Sequence, residues 1–300
     1  MINKTPHISV CLCTFKRPEL LKCLLTELSK QNTEAAFSYS VIVADNDRLE
    51  SAREVVKEFT ATSDIPFVYV VESEQNIAMA RNKALEYASG EYIAFIDDDE
   101  IPDKSWLRKL LATCDADGVD GVLGPVRPFF RHEPPQWIIK GGFFDRPSYQ
   151  TGYRLDWRET RTGNALIRRS ILDGLAPVFR PEFGTGGEDV DFFRRIMLQG
   201  RVFIWCNEAI VHELVPPSRC SSGYLLRRAL LRGSNFPKRQ VNRLRTLTNS
   251  FVAIPLYVLA LPFLAFFGRH IFIKYLVKLC DHVSRVFAYL GVQLAHEKEM

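Results

Sequence analysis

The chain has 300 residues, 47% of them hydrophobic and 25% charged, which is enough for one large or two small domains with buried cores and excludes a disordered chain. Its formal net charge of +4 hides an asymmetry: residues 216–300 carry 13 Lys and Arg against 3 Asp and Glu, leaving 26 against 32 for the remainder. An acidic body with a basic, apolar tail points to an anionic surface such as membrane headgroups. It points away from nucleic acid, because the basic residues of the tail are interleaved with long aliphatic runs.

The first apolar run, residues 8–13, reads as a buried strand, with residues 14–17 as its polar exit. Pro18 stands where a first helical residue would, and Leu20, Leu21, Leu24, Leu25 and Leu28 follow at helical spacing. Residues 1–7 are polar, so no secretory leader is expected. Residues 39–44 form a second strand that exits into Asp45, Asn46 and Asp47, and residues 51–59 a helix. A third strand at 67–71 exits through Glu72 to Asn76, and a helix at 77–88 is ended by Gly90. A fourth strand at 92–96 runs directly into Asp97, Asp98, Asp99 and Glu100, with Glu100 as the turn toward a helix at 105–114. Strands alternating with helices predict βαβ units, an α/β fold and a mostly parallel sheet.

After a strand at 119–123 the pattern loosens into a Pro- and aromatic-rich span at 125–153. A strand at 164–167, a short helix at 169–173, and strands at 202–206 and 209–211 follow, with His212 at the last exit. Between them the Gly-rich loop 183–187 opens into Glu188, Asp189 and Asp191 at the head of a helix that Gly200 stops. From Ser221 on, leucines and arginines share helical faces. Residues 251–268 carry no charge but include Pro255 and Pro262, which argue against a straight span, and residues 271–291 are amphipathic. This tail reads as a membrane-embedded or re-entrant anchor with an interfacial helix, or else as a packed helical hairpin. The boundary is placed at 215, with a catalytic domain over 1–215 and a membrane-associating region over 216–300. The seven cysteines are scattered without a CxxC pair, which fits a reducing compartment and no structural zinc.

Four strand exits offer polar groups to one sheet edge: Thr14 with Arg17, Asp45 with Asn46, Asn76 with Arg81, and residues 97–100. There is no GxGxxG and no Walker sequence, so a diphosphate bound here lacks a glycine cradle. A divalent metal on the acidic quartet, helped by Arg81, is the evident substitute, and oxygen ligands suit Mg²⁺ or Mn²⁺. A solvated turn is the alternative for the quartet taken alone. Spacing does not choose among Glu188, Asp189 and Asp191 as a general base. Trp137 and Trp157 are candidates for stacking on a sugar or for ordinary packing.

Taken together, these motifs resemble family 2 glycosyltransferases of the GT-A fold, the nucleotide-diphospho-sugar transferase fold. The matching residues are Ser9 and Val10 through Pro18, residues 43–46, Asn76 through Asn82, residues 90–99, and residues 186–189. Residues 123–127, 163–166 and 211–213 and the apolar tail are similar to the bacterial exopolysaccharide branch with its succinoglycan-type glucosyltransferases. The resemblance implies that Asp45 accepts a hydrogen bond from uracil and that Thr14 and Arg17 line the base pocket. It implies Asp97 near the ribose, Asp99 on the metal, Asp98 in a secondary place, and His212 as a further metal ligand. Asn76 and Arg81 would serve the nucleotide sugar, and Asp189, with Glu188 beside it, the catalysis. The reaction implied is metal-dependent, inverting transfer of a hexose from a UDP-hexose such as UDP-glucose to a lipid-linked glycan, at the cytoplasmic face of the inner membrane. A lipopolysaccharide-core acceptor and a sugar nucleotidyltransferase are the rival readings.

Overall fold

A computed structural model describes residues 5–184, 186–234 and 243–295. They form two compact units, one of Met1–Arg127 with Arg146–Leu214 and one of Pro128–Asp145 with Val215–Met300. Residues 128–145, placed by sequence in the first region, therefore belong with the second. Their aromatic side chains find apolar partners there: Phe130, Trp137 and Phe143 cluster with Ile138, Leu225 and Ile273.

The first unit begins with β1 (His7–Thr14), α1 (Pro18–Leu28), β2 (Ser38–Asp45), α2 (Arg53–Thr62), β3 (Phe67–Val71), α3 (Ile77–Glu86) and β4 (Tyr92–Phe95). It continues through β5 (Glu100–Pro102), α4 (Trp106–Ala116), β6 (Gly121–Leu123) and β7 (Val126–Phe129). After α5 (Gln136–Gly141) of the second unit come β8 (Ala165–Arg168), α6 (Glu188–Leu198), β9 (Phe203–Trp205) and β10 (Val211–Leu214). Seven strands form one sheet in the order β3-β2-β1-β4-β8-β6-β9, and β5, β10 and β7 form a second, small sheet. In the large sheet β1 runs parallel to β2 and β4, and β2 to β3, while β8 runs antiparallel to both β4 and β6. This is a GT-A arrangement with a mostly parallel centre.

Strands covered by helices on both faces read as continuous apolar runs, which is why β1, β2 and β4 were legible from hydrophobicity alone. On one face Leu21, Leu24, Leu25 and Leu28 of α1 and Leu107, Leu110 and Leu111 of α4 pack on Val10, Leu12 and Val43. On the other, the alanines of α3 and Phe192, Phe193 and Ile196 of α6 meet Ile42, Ile93 and Phe95. Strand order reverses between β1 and β4. In a doubly wound sheet the crevice beyond the strand ends at such a switch point is where ligands bind.

Asn164 pins the far half of this unit. It is fully buried with φ 63°, a left-handed conformation that Asn tolerates better than most residues. Its Oδ1 accepts from Trp106 Nε1 at 2.7 Å, and its Nδ2 donates to the Pro125 and Ala209 carbonyls at 2.9 and 2.7 Å. One side chain thereby ties α4, the β6–β7 link and the approach to β10 to the head of β8.

The second unit contains α5, α7 (Ser222–Ser234), α8 (Arg243–Leu264) and α9 (Arg269–Tyr289). Its helix α8 continues through Pro255 and Pro262, the two prolines that the sequence set against a straight span. The two rings are seven residues apart on the exposed side of the helix. Asn164→Ala takes away the partner of the buried Trp106 indole N–H and of the Ala209 carbonyl, while the Pro125 carbonyl keeps the Val211 N–H at 3.1 Å. It should lower stability by about 2–4 kcal/mol, read as a shifted denaturant midpoint with secondary structure intact below it.

Candidate active site

The acidic quartet is four residues with four different surroundings. Asp98 turns inward and is buried, taking Thr14 Oγ1 at 2.8 Å and Arg17 Nη1 at 3.1 Å. Burial raises its pKa, and Arg17 and the Thr14 hydroxyl pull it back. Burial also works against the Arg17 charge, but Asp98 and Asp99 outweigh it and the guanidinium pKa is raised. Asp99 lies 3.6 Å from the same guanidinium. The middle acid is thus an anchor that holds Thr14 and Arg17 at the end of β1, a larger part than the sequence assigned it.

Asp97 is the open one, with its side chain 47% exposed. Its Oδ1 accepts from Arg81 Nη2 at 3.3 Å. Gly163 presses on its other side: a Cβ there would lie 3.0 Å from Asp97 Oδ2 and 2.7 Å from Glu100 Oε1. Only glycine lets the chain approach the two carboxylates this closely.

Glu100 is a correction. The sequence made it a turn toward the next helix; it is instead the first residue of β5 and is buried. Its Oε2 takes the Asp97 backbone N–H at 3.0 Å, which closes the acidic turn on itself. Burial and the neighbouring Asp97 charge push its pKa well above the usual carboxyl range, against the Asp97 N–H and Arg146. Across the small sheet Glu100 pairs with Glu213 of β10, which binds Arg146.

The same register places His212. It stands opposite Ile101, one residue out of step with the Glu100–Glu213 pair, and strand side chains alternate faces. Its Nε2 lies 3.7 Å from Asp103 Oδ1. His212 and Glu213 therefore face opposite sides of β10, and Glu213 shares the side of Glu100.

Arg81 joins the acids to the head of α6. On α3 it is buried, its Nη1 binds Glu188 and its Nη2 reaches Asp97. Glu188 is 4% exposed, and its Oε2 has no hydrogen-bond partner among the described residues. Asp189, one residue on, is half-buried, and its Oδ1 takes the Val190 backbone N–H. Asp191 points elsewhere, to Arg195 at 2.8 Å and Arg180 at 3.6 Å. So of three adjacent acids, one is paired inward, one structural, and Asp189 is the partly accessible one.

Asn76 and Asp45 shape this region from inside. Asn76 caps α3, its Oδ1 taking the Ala78 and Met79 N–H groups while its Nδ2 donates to the Pro181 carbonyl at 3.0 Å. The Ile77 N–H donates to the Gly184 carbonyl, and a Cβ on Gly184 would strike the Asn76 side chain. Asn76 thus fastens the loop before α6, of which Thr185 lies outside the described residues. Asp45 is 0% exposed and takes the Asp47 and Ala52 N–H groups and the Tyr69 hydroxyl, the last at 2.8 Å.

Sequence reasoning missed Arg146, Arg161 and Glu213. Arg161 stands among Glu100, Asp189 and Glu213, and its pKa is lowered by burial and by Arg146 against those carboxylates. The alternation of β10 was a usable signal for Glu213; Arg146 and Arg161 lie in irregular segments and carried none. Trp157 is already covered by Arg158 and Arg194, and Trp137, in the second unit, by Phe143 and Arg269.

Asp97 and Asp99 offer hard oxygen donors, and among the described residues no three His, Cys, Asp or Glu side chains are grouped to hold a metal alone. That donor set fits a cation of the Mg²⁺ or Mn²⁺ kind, which takes one or two carboxylates and completes its shell with water and substrate phosphate.

The sequence model of Glycosyl transferase family 2 matches residues 9–175. The succinoglycan biosynthesis protein ExoM of Rhizobium meliloti is 38% identical over 238 residues, 78% of this chain and 75% of the relative. The glycosyltransferase AglE of Haloferax volcanii is 24% identical over 70% of this chain and 67% of its own length. The mannosyltransferase PcManGT of Pyrobaculum calidifontis, solved with GDP-Man and Mn²⁺, superposes with a TM-score of 0.64 at 18% identity, covering 95% of this chain and 88% of that one. S. aureus TarS 1-349, solved with UDP-GlcNAc, gives 0.56 at 19% identity over 75% of this chain and 66% of that one.

Arg81→Met strands a buried Glu188 and should cost about 3 kcal/mol. Adding Glu188→Gln should restore most of that loss. Equal losses in the single and double variants, measured by denaturant unfolding, would show the pair to be uncoupled.

Proposed function

This chain belongs to glycosyl transferase family 2, and from that premise we propose that it transfers a hexose, with inversion, from a UDP-hexose to a lipid-linked glycan acceptor. The donor we assign is UDP-glucose, and the setting is exopolysaccharide or cell-envelope glycan assembly at the cytoplasmic face of the inner membrane. The exopolysaccharide assignment follows the 38% identity to a succinoglycan biosynthesis protein. The membrane assignment follows the basic tail and a helical stretch, Leu244–Phe267, long and apolar enough to cross a bilayer.

One observation carries the reading: Arg81 binds Glu188 and Asp97 at once, so the acid corner and the head of α6 are held as one site. Asp99 with Asp97 would hold Mn²⁺ or Mg²⁺, which when bound neutralises charge on the donor diphosphate. The chain's own residues do the rest. Thr14 and Arg17, fixed by Asp98, border the nucleotide at the end of β1. Asp189 takes the proton from the acceptor hydroxyl as the new oxygen–anomeric carbon bond forms. The bond from that carbon to the diphosphate oxygen breaks on the opposite face, and its electron pair leaves with UDP. Glu188, buried with its Oε1 on Arg81, positions that guanidinium and is not assigned as the base, because Asp189 is the more accessible of the two.

The α6 N-terminus favours a carboxylate at Asp189, and Gly186 and Gly187, with φ of 113° and 97°, set the sharp entry to that helix. His212 is given no place in the chemistry.

Asp189→Asn should bind UDP-glucose with unchanged affinity and lose transfer by about 10²–10⁴-fold, measured as UDP release with a lipid-linked acceptor. Near-normal turnover would remove Asp189 as the base. Asp99→Ala should abolish the Mn²⁺-dependent part of UDP binding in calorimetry, while His212→Ala should keep it within about twofold. The reverse pattern would reinstate the histidine.

A further inference from the structure

The second unit carries a helix face that no described residue covers. On one side of α8, Thr246 and Ser250 are buried and Ala253, Ile254, Tyr257 and Leu264 half-buried. On the other, Val252, Leu256, Leu259 (69% exposed), Phe263 and Phe266 (88%) stand open. Apolar faces of this extent mark a binding surface.

What lies alongside decides the occupant. Ser250 pairs with His282 of α9 at 3.0 Å, and the Tyr257 ring meets those of Tyr275 and His282 at 5.8 Å. The two helices therefore run antiparallel over the length of α8, turning back at Gly268. This register brings Lys274 and Lys278, both exposed, abreast of the middle of α8. It brings Asp281, bound to Arg232 of α7, abreast of its first half. Ser284 adds bonds to Ser234 and to the Leu230 carbonyl, so α9 is held between α7 and α8. If α8 crossed a bilayer in this arrangement, these charges would be carried to its hydrocarbon centre.

We infer that α8 does not span a membrane but lies in the plane of one anionic leaflet. Its open face sits at the acyl boundary, and Arg245, Arg269, Lys274 and Lys278 lie in the headgroup layer. Length and hydropathy alone favour a span, and the α8–α9 register overrides them. The exposed basic residues fix the chemistry of the partner as acidic phospholipid. The inference rests on the membrane association proposed above and specifies its geometry.

The test uses the full-length chain with vesicles of phosphatidylethanolamine and phosphatidylglycerol, and with phosphatidylcholine alone. Nitroxides are placed singly by Leu256→Cys and Phe266→Cys, both on the open face, with the signal of the labelled unsubstituted chain subtracted. Ten helical residues cover about 15 Å. A spanning helix would set Leu256 near the bilayer centre and Phe266 about 15 Å closer to one surface. The in-plane helix should give two shallow depths within about 5 Å of each other, roughly 5–10 Å into the boundary region. Graded depths overturn the inference. So do labels that remain in water on sedimenting protein, the result expected if a second copy covers the face. Lys274→Glu with Lys278→Glu should weaken partition onto the anionic vesicles about tenfold or more, and unchanged partition would refute the acidic lipid. Protein that sediments with neither vesicle overturns membrane association itself, a failure seen in sedimentation before any depth is read.

Discussion

The guanidinium of Arg81, shared between Glu188 and Asp97, is the interaction on which the site depends. The set is asymmetric: removing the cation leaves the buried Glu188 without compensation in a low-dielectric setting, whereas removing the half-exposed Asp97 leaves the Arg81–Glu188 pair intact. α3 delivers the cation, the exit of β4 delivers one acid and the start of α6 the other. Three elements that are distant in sequence are thereby forced into one relative position. The Asn76 cap reinforces this from the same helix, since it holds the loop that leads into α6. The residue proposed as base is therefore placed by the same helix that steadies the acid turn.

The acid turn repeats the principle on a smaller scale. Four adjacent carboxyls repel one another, and the fold gives each a different escape. Asp98 is buried against a hydroxyl and a guanidinium, Glu100 closes onto a backbone N–H, Asp97 leans on Arg81, and Asp99 shares Arg17. The outcome is a graded set with Asp97 as the open member.

Much of the fold was legible because parallel strands covered on both faces write themselves as apolar runs. The polar exits of β1, β2 and β4 then locate the edge of the site without further information. Legibility failed where side-chain direction mattered. His212 and Glu213 are neighbours in sequence, yet the pleat sends them to opposite faces, and only the pairing of β10 with β5 says which is which. The cap bonds of Asn76 and the three donors on Asp45 carry no signal in sequence and appear only in the fold. Glu100 was misread because a three-residue strand carries no periodicity. The segment 128–145 was misplaced because apolar content does not reveal which core it joins. In the tail, hydropathy sees α8 but not the charged helix beside it.

Strand β8, the antiparallel member of the large sheet, has a consequence for how such a chain can diversify. β6 ends on the edge where the acids gather, and β8, running the other way, begins on that edge. Everything between them leaves and returns at one rim of the sheet, so its length is not constrained by a crossover. The span between Leu123 and Ala165 holds β7, α5 and Arg146 and returns through Gly163 and Asn164, so it carries its own contacts while leaving the strand order of the large sheet untouched.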